Sequence, residues 1–154
     1  RLERSVEQFM IRFGRLKNEP YVILTEKDGR MAGNDENLVR VREQSSAFGI
    51  FIDFCENRLL LNGRFVPLFK KTVLIGMMFE LVRDPGKVVS APALFRAVWG
   101  RSLESDSDGS NLRMNISRLR TLLGEKGTDL IRSSEEKSGY FFNNESDFCL
   151  IYRK

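Results

Sequence analysis

Histidine is absent from the chain. That removes the commonest general base and every histidine-ligated metal site. Cysteine is scarce: Cys55 and Cys149 each stand alone in an apolar run. Two lone cysteines make a poor disulfide framework and read as small buried hydrophobes in a reducing compartment. There is no Cys-x-x-Cys, no glycine-rich phosphate loop and no nucleophile elbow. The reading is therefore not an enzyme, with no catalytic residue, no metal and no cofactor. No apolar run approaches the ~20 residues of a membrane span, so no membrane contact is expected, and the expected compartment is cytoplasmic. A large excess of either charge is missing as well. Lys and Arg number 25 against 21 Asp and Glu, a net charge of +4. This permits nucleic-acid binding without requiring it, because clustering matters more than the total.

What is present suits one domain, or one domain with an appendage. The 154 residues are 42% hydrophobic, enough for a core without disulfides or metals. The first residue is Arg1 rather than Met, and a piece of a longer chain is expected. Residues 1–17 predict a helix, since Leu2, Val6, Phe9, Met10, Phe13 and Leu16 keep the helical period. Asn18-Glu19-Pro20 stops it. That stripe has two readings: packing on its own domain, or pairing with the same helix of a second chain in a homodimer. Residues 21–24 are β-prone, 27–30 carry an Asp-Gly hairpin signal, and 31–37 read as polar loop. The alternation Leu38-Val39-Arg40-Val41-Arg42 predicts another strand. Gln44-Ser45-Ser46-Ala47 marks a boundary, so 1–48 is an extension for dimerisation or linkage to a control domain, and 49–154 is the main domain.

In that domain, three short strands are expected at 49–55, 58–61 and 64–68, an antiparallel meander with turns at Asn57 and Asn62-Gly63. An unusually apolar helix follows at 72–82, ended by Asp84-Pro85-Gly86. Val88-Val89 is extended. Ser90 caps a helix with Pro92 in its first turn and Gly100 at its end. Its apolar face is Leu94, Phe95, Val98 and Trp99. Residues 101–110 read as an acidic loop. Residues 111–123, NLRMNISRLRTLL, then form the most informative segment. Leu112, Ile116, Leu119 and Leu122/Leu123 make one apolar stripe. Asn111, Met114, Ser117, Arg118 and Thr121 fall opposite, with Arg113, Asn115 and Arg120 on the flanks. A helix with three arginines and no acid suits a DNA major groove; it also suits an ordinary solvated basic face. Beyond a linker at 125–129, residues 130–132 and 140–142 predict strands around SSEEKSG, a second hairpin. Residues 148–152 add a strand or pack on the core.

In their order and spacing, DPGKVVS (84–90), LFRAVWG (94–100), NISRLRTLL (115–123), LIRS (130–133) and GYFF (139–142) resemble the OmpR/PhoB-type winged-helix DNA-binding effector domain of bacterial response regulators. The resemblance covers roughly residues 49–143. It implies an α+β fold: a winged helix-turn-helix with an N-terminal antiparallel strand meander, three helices and a C-terminal wing hairpin, here preceded by a helix and a small strand extension. It implies a sequence-specific transcriptional regulator whose partner is double-stranded DNA. Residues 111–123 would be the recognition helix in the major groove, with helix 90–99 supporting it. Loop 101–110 would meet RNA polymerase, and the wing would reach an adjacent minor groove.

Residue by residue, the resemblance puts Arg118 at a base- or phosphate-reading position and Arg120 at a phosphate-contacting one. Asn111 stands where Thr is common, and Asn115 where His is. Met114 replaces a small apolar residue able to touch a thymine methyl. Arg113 replaces an acid, and Ser117 stands where some members have Arg. Ser110, Thr121, Ser134 and Lys137 complete the expected DNA-facing set. The wing departs from the pattern, with Glu135 and Glu136 where the family is basic, and carboxylates facing phosphates are repelled. Residues 1–48 match no receiver domain. The acidic wing and the added N-terminal segment motivate the alternative, a winged helix turned to protein–protein contact with weak or no DNA binding.

Overall fold

The computed structural model describes residues 20–154; the expected helix over 1–17 lies outside the described residues. Along the chain run β1 (Tyr21–Thr25), β2 (Gly29–Met31), α1 (Asp35–Glu43), β3 (Ile50–Asp53), β4 (Arg58–Leu61), β5 (Arg64–Phe65), α2 (Thr72–Val82), β6 (Val89–Ser90), α3 (Ala91–Trp99), α4 (Asp106–Leu122), α5 (Gly127–Leu130), β7 (Ile131–Ser134), β8 (Gly139–Phe142) and β9 (Phe148–Arg153). They fall into two compact units: the described residues up to Gly63 together with Asp147–Lys154, and Arg64–Ser146.

The first unit is a sheet in the order β2-β1-β9-β3-β4. The β1–β2 hairpin forms at the Asp-Gly signal, with the Thr25 hydroxyl accepting from the Asp28 N–H at 2.9 Å. Asn62 and Gly63 turn the chain after β4 with φ of 49° and 79°, the left-handed values that Asn-Gly accommodates. The C-terminal strand β9 inserts between β1, to which it is antiparallel, and β3, to which it is parallel. This corrects the expected division at 48/49. The extension and the start of the meander share one sheet, because the apolar run at the C-terminus supplies the strand that joins them.

A second correction concerns residues 38–42, which are helical. The start of α1 decides it: the Asn34 side chain accepts from the Asn37 N–H at 2.8 Å, Asp35 and Glu36 occupy the first turn, and Arg40 and Arg42 the last. That is a capped helix with charges matched to its dipole. The buried residues are Leu38 and Val41, a helical spacing, while Val39 is exposed. A five-residue alternation is too short to separate the two periods. The helix packs Leu38 and Val41 with Ile23, Phe51, Leu60, Cys149 and Ile151. Buried Asp53 pairs with Arg42 Nε at 2.8 Å and accepts the N–H groups of Cys55 and Glu56, so that charge is compensated. Both cysteines are free thiols. Burial, then the charges of Asp53 and Asp147, push the Cys149 thiol up to about 12, which keeps it protonated as a core hydrophobe.

In the second unit α2 occupies its expected span and buries Leu74, Met77, Met78, Leu81 and Val82. At α3 the Ser90 hydroxyl accepts from the Ala93 N–H at 3.2 Å and Gly100 closes the helix at φ 73°. Leu94 and Phe95 from α3 and Leu112, Ile116 and Leu119 from α4 complete the core. Helix α4 begins five residues before the expected 111, so residues 106–110 are not loop. The Ser105 hydroxyl accepts from the Asp108 N–H at 3.1 Å, an N-cap that outweighs the helix-breaking tendency of Gly109. The linker at 125–129 is likewise a 3-10 turn at Gly124–Lys126 followed by α5, which takes Leu130 out of the strand. The sheet of this unit runs β6-β8-β7. A Cβ on Gly139 would collide with the Val89 carbonyl, so only glycine lets the wing strand β8 approach β6 this closely. Three helices followed by this hairpin are the winged helix-turn-helix that the resemblance implies.

Candidate nucleic-acid interface

Helix α4 buries Leu112, Ile116 and Leu119, and this decides what faces outward. Ser110, Arg113, Met114, Ser117, Arg118 and Thr121 are all exposed. Met114, at 46% exposure, is one of the few large apolar side chains left in water among the described residues. The Arg118 side chain has no hydrogen bond or ion pair with any described residue. Arg113 Nη2 donates to the Ser110 hydroxyl at 3.2 Å, and the Thr121 hydroxyl donates back to the Ser117 carbonyl at 3.0 Å. Most of the expected reading face is thus assembled on one side of one helix.

Asn115 is a correction. It is only 7% exposed, and its amide donates to both the carbonyl and the side-chain oxygen of half-buried Asn111 at 2.9 Å. It braces the helix from the inner flank, because the register that buries Ile116 carries its neighbour inward too. Arg120 also differs from the rest: it is half-buried, with its guanidinium turned toward the wing.

Two open grooves flank the outer face. One, about 440 Å³, lies between the first half of α4 and the wing, with Arg113, Ser134 and Gly139 in its walls. The other, about 850 Å³, lies between the start of α2 and α4, and sets Lys71 and Thr72 opposite Ser117, Arg118 and Thr121. Lys71 is not among the residues that the sequence singles out, and the groove adds it to the candidate face. The signal was the Lys70-Lys71 pair just before an apolar helix, which reads as a mere helix start until α4 is seen beside it. In the wing, Glu135, Glu136 and Lys137 are exposed and Ser134 is half-buried, its hydroxyl accepting from the Lys137 N–H at 3.4 Å. Arg132 is occupied by Asp129 at 2.6 Å.

The turn between α3 and α4 is held rigidly. Arg101 forks onto Asp108 with bonds of 2.9 and 2.8 Å, and its guanidinium lies 5.0 Å from the centre of the Phe95 ring, which itself stacks on Trp99 at 4.6 Å. The Asp108 carboxylate also accepts the Glu104 N–H at 3.1 Å. Hydrogen bonds from Arg101 first, and from Glu104 second, hold its carboxyl well below the usual carboxylate range. A depressed folded-state value means that its stabilisation is fully present above the unfolded value of about 4 and is lost as pH falls through the folded one. Asp108→Asn should therefore be less stable than the wild type at neutral pH. The gap should close on acidification below about pH 4; chemical denaturation across that range measures it.

Among the described residues, no helix is long and apolar enough to cross a membrane, and no group of acids and cysteines could hold a metal ion.

Residues 75–142 match the family model described as transcriptional regulatory protein, C terminal. Among solved structures, the Klebsiella pneumoniae RstA DNA-binding domain in complex with the RstA box is 28% identical over 60% of this chain and 89% of that chain, with a TM-score of 0.51. The C-terminal DNA-binding domain of the RstA protein from Klebsiella pneumoniae is 29% identical over 60% of this chain and 81% of that chain, with a TM-score of 0.46. No curated protein matches the chain. The matched segment contains the second and third helices of the core, the exposed face of α4 and the wing, so over residues 75–142 the chain is similar to the OmpR/PhoB-type winged-helix DNA-binding domains, a transcription-regulating rather than an enzymatic family.

Proposed function

We propose that the chain regulates transcription by placing the outer face of α4 in the DNA major groove. One observation carries this placement: Arg118 has no hydrogen-bond or ion-pair partner among the described residues and stands on an exposed face with Arg113, Met114, Ser117 and Thr121, between two open grooves. Arg118 and Asn111 read base edges, and Met114 meets a thymine methyl. Phosphates on one side of the groove are met by Ser110, Arg113, Ser134 and Lys137, and on the other by Ser117, Thr121 and Lys71. The related RstA domain was solved with its DNA box, which supports the same docking mode for this chain.

The turn at 101–105, shortened by the early start of α4, is the part left to meet RNA polymerase. A homodimer through residues 1–17 would give two recognition helices and a repeated site. The segment before the meander then serves dimerisation or linkage to a control domain, and the working compartment is the cytoplasm. A protein-contact role is the competing reading, favoured by the exposed Glu135 and Glu136. Selection from random duplex DNA at low salt separates the two. Enrichment of one motif is expected. Failure to enrich any motif, together with a co-purifying protein partner, would replace this function with the competing one.

A further inference from the structure

We infer that Arg120 is a positioning residue that locks the wing to the recognition helix, so that helix and wing meet DNA at a fixed spacing; this rests on the docking of α4 proposed above. The geometry is specific. Arg120 Nε donates to the Ile131 carbonyl at 2.8 Å and Nη2 donates to the Ser133 hydroxyl at 2.9 Å. Its guanidinium carbon lies 5.9 Å from the centre of the Tyr140 ring. Ile131 and Ser133 belong to β7, and Tyr140 is the partner of Ser133 on β8. One side chain from α4 therefore grips both strands of the wing at one rung.

The wing strands are only four residues long; β8 is held on its other side by a two-residue pairing with β6, while β7 is the edge strand of that sheet, and so short a sheet is marginal on backbone pairing alone. The wing's tip carries two carboxylates, which phosphates would push away. A latch at its base resists that push. The two hydrogen bonds of the latch also use the shape of the guanidinium more than its charge: separate N–H groups of one planar fork reach the Ile131 carbonyl and the Ser133 hydroxyl. An ammonium keeps the charge and cannot reproduce the fork. A simple phosphate contact makes the opposite demand, since charge is what it needs.

Arg120→Lys, Arg120→Gln and Ser133→Ala separate the two roles. The readouts are hydroxyl-radical footprinting on the selected duplex and amide hydrogen exchange of the free protein. Both Arg120 variants should lose protection at the wing flank while the centre covered by α4 stays protected, and Ser133→Ala should lose part of the same flank. In the free protein, wing amides should exchange about tenfold faster in Arg120→Lys, the factor expected for about one hydrogen bond, with α4 amides unchanged. A footprint and exchange pattern like the wild type in Arg120→Lys, with only Arg120→Gln lowering the salt slope by about one, would make Arg120 a phosphate contact and overturn the latch. Loss of all protection together, with α4 amides exposed, would also overturn it in favour of a general folding role. A wild-type protein that gives no footprint rejects the docking of α4 instead, and the exchange experiment still decides the latch.

Discussion

Arg118→Ala should weaken binding to the selected duplex by about 1–3 kcal/mol, roughly 5- to 150-fold, and erase the preference at one base position. The size follows from where the side chain stands. It has no hydrogen bond or ion pair among the described residues, so its removal leaves no orphaned protein group and leaves the fold as it is. Its whole contribution is then available to DNA, and a bidentate arginine to a guanine edge is the commonest specific contact. Competition binding against duplexes changed one base pair at a time measures both the loss and its position. Equal loss on every duplex would reassign Arg118 to a phosphate; no loss on any would remove α4 from the major groove.

Phe95→Ala should destabilise the second unit by about 3–5 kcal/mol in chemical denaturation. Phe95 is completely buried, stacks on Trp99 at 4.6 Å and carries Arg101 over its ring. Its loss opens a large cavity and frees the arginine that grips Asp108 at the start of α4. The effect is large against the 5–15 kcal/mol total typical of a domain. Two consequences can be told apart, because the cavity lowers stability whereas the loosened turn frays the first turn of α4. Faster amide exchange at 106–109 than the global destabilisation explains would report the second. A loss below about 1 kcal/mol would contradict the tight packing of α3 against α4.

The parts of this fold that could be read from the residues are those with strong local signals. Helix α2 is apolar between clear stops, α3 has Ser90, Pro92 and Gly100 at the right places, and Asn62-Gly63 adopts the turn its dipeptide favours. The readings that failed did so where a cap competed with a pattern. Asn34 and Ser105 start helices that a short alternation and a glycine argued against. Strand β9 lay beyond local reasoning altogether, since its partners β1 and β3 are far away in sequence. At the interface, the exposed face of α4 followed from the helical period. Asn115 and Arg120 did not, because a flank position can point either way and only the packing of Asn111 and of the wing decides it. Lys71 needed two helices brought together.

Sequence reading through α4 would show in the ratio of the chain's affinities for the selected duplex and for a scrambled duplex of equal composition, both measured at one near-physiological salt concentration. A ratio of roughly 10³ or more is expected of a sequence-specific reader. A ratio near one, with both affinities falling together as salt rises, would mean that the arginines of α4 hold only phosphates, and would contradict the account.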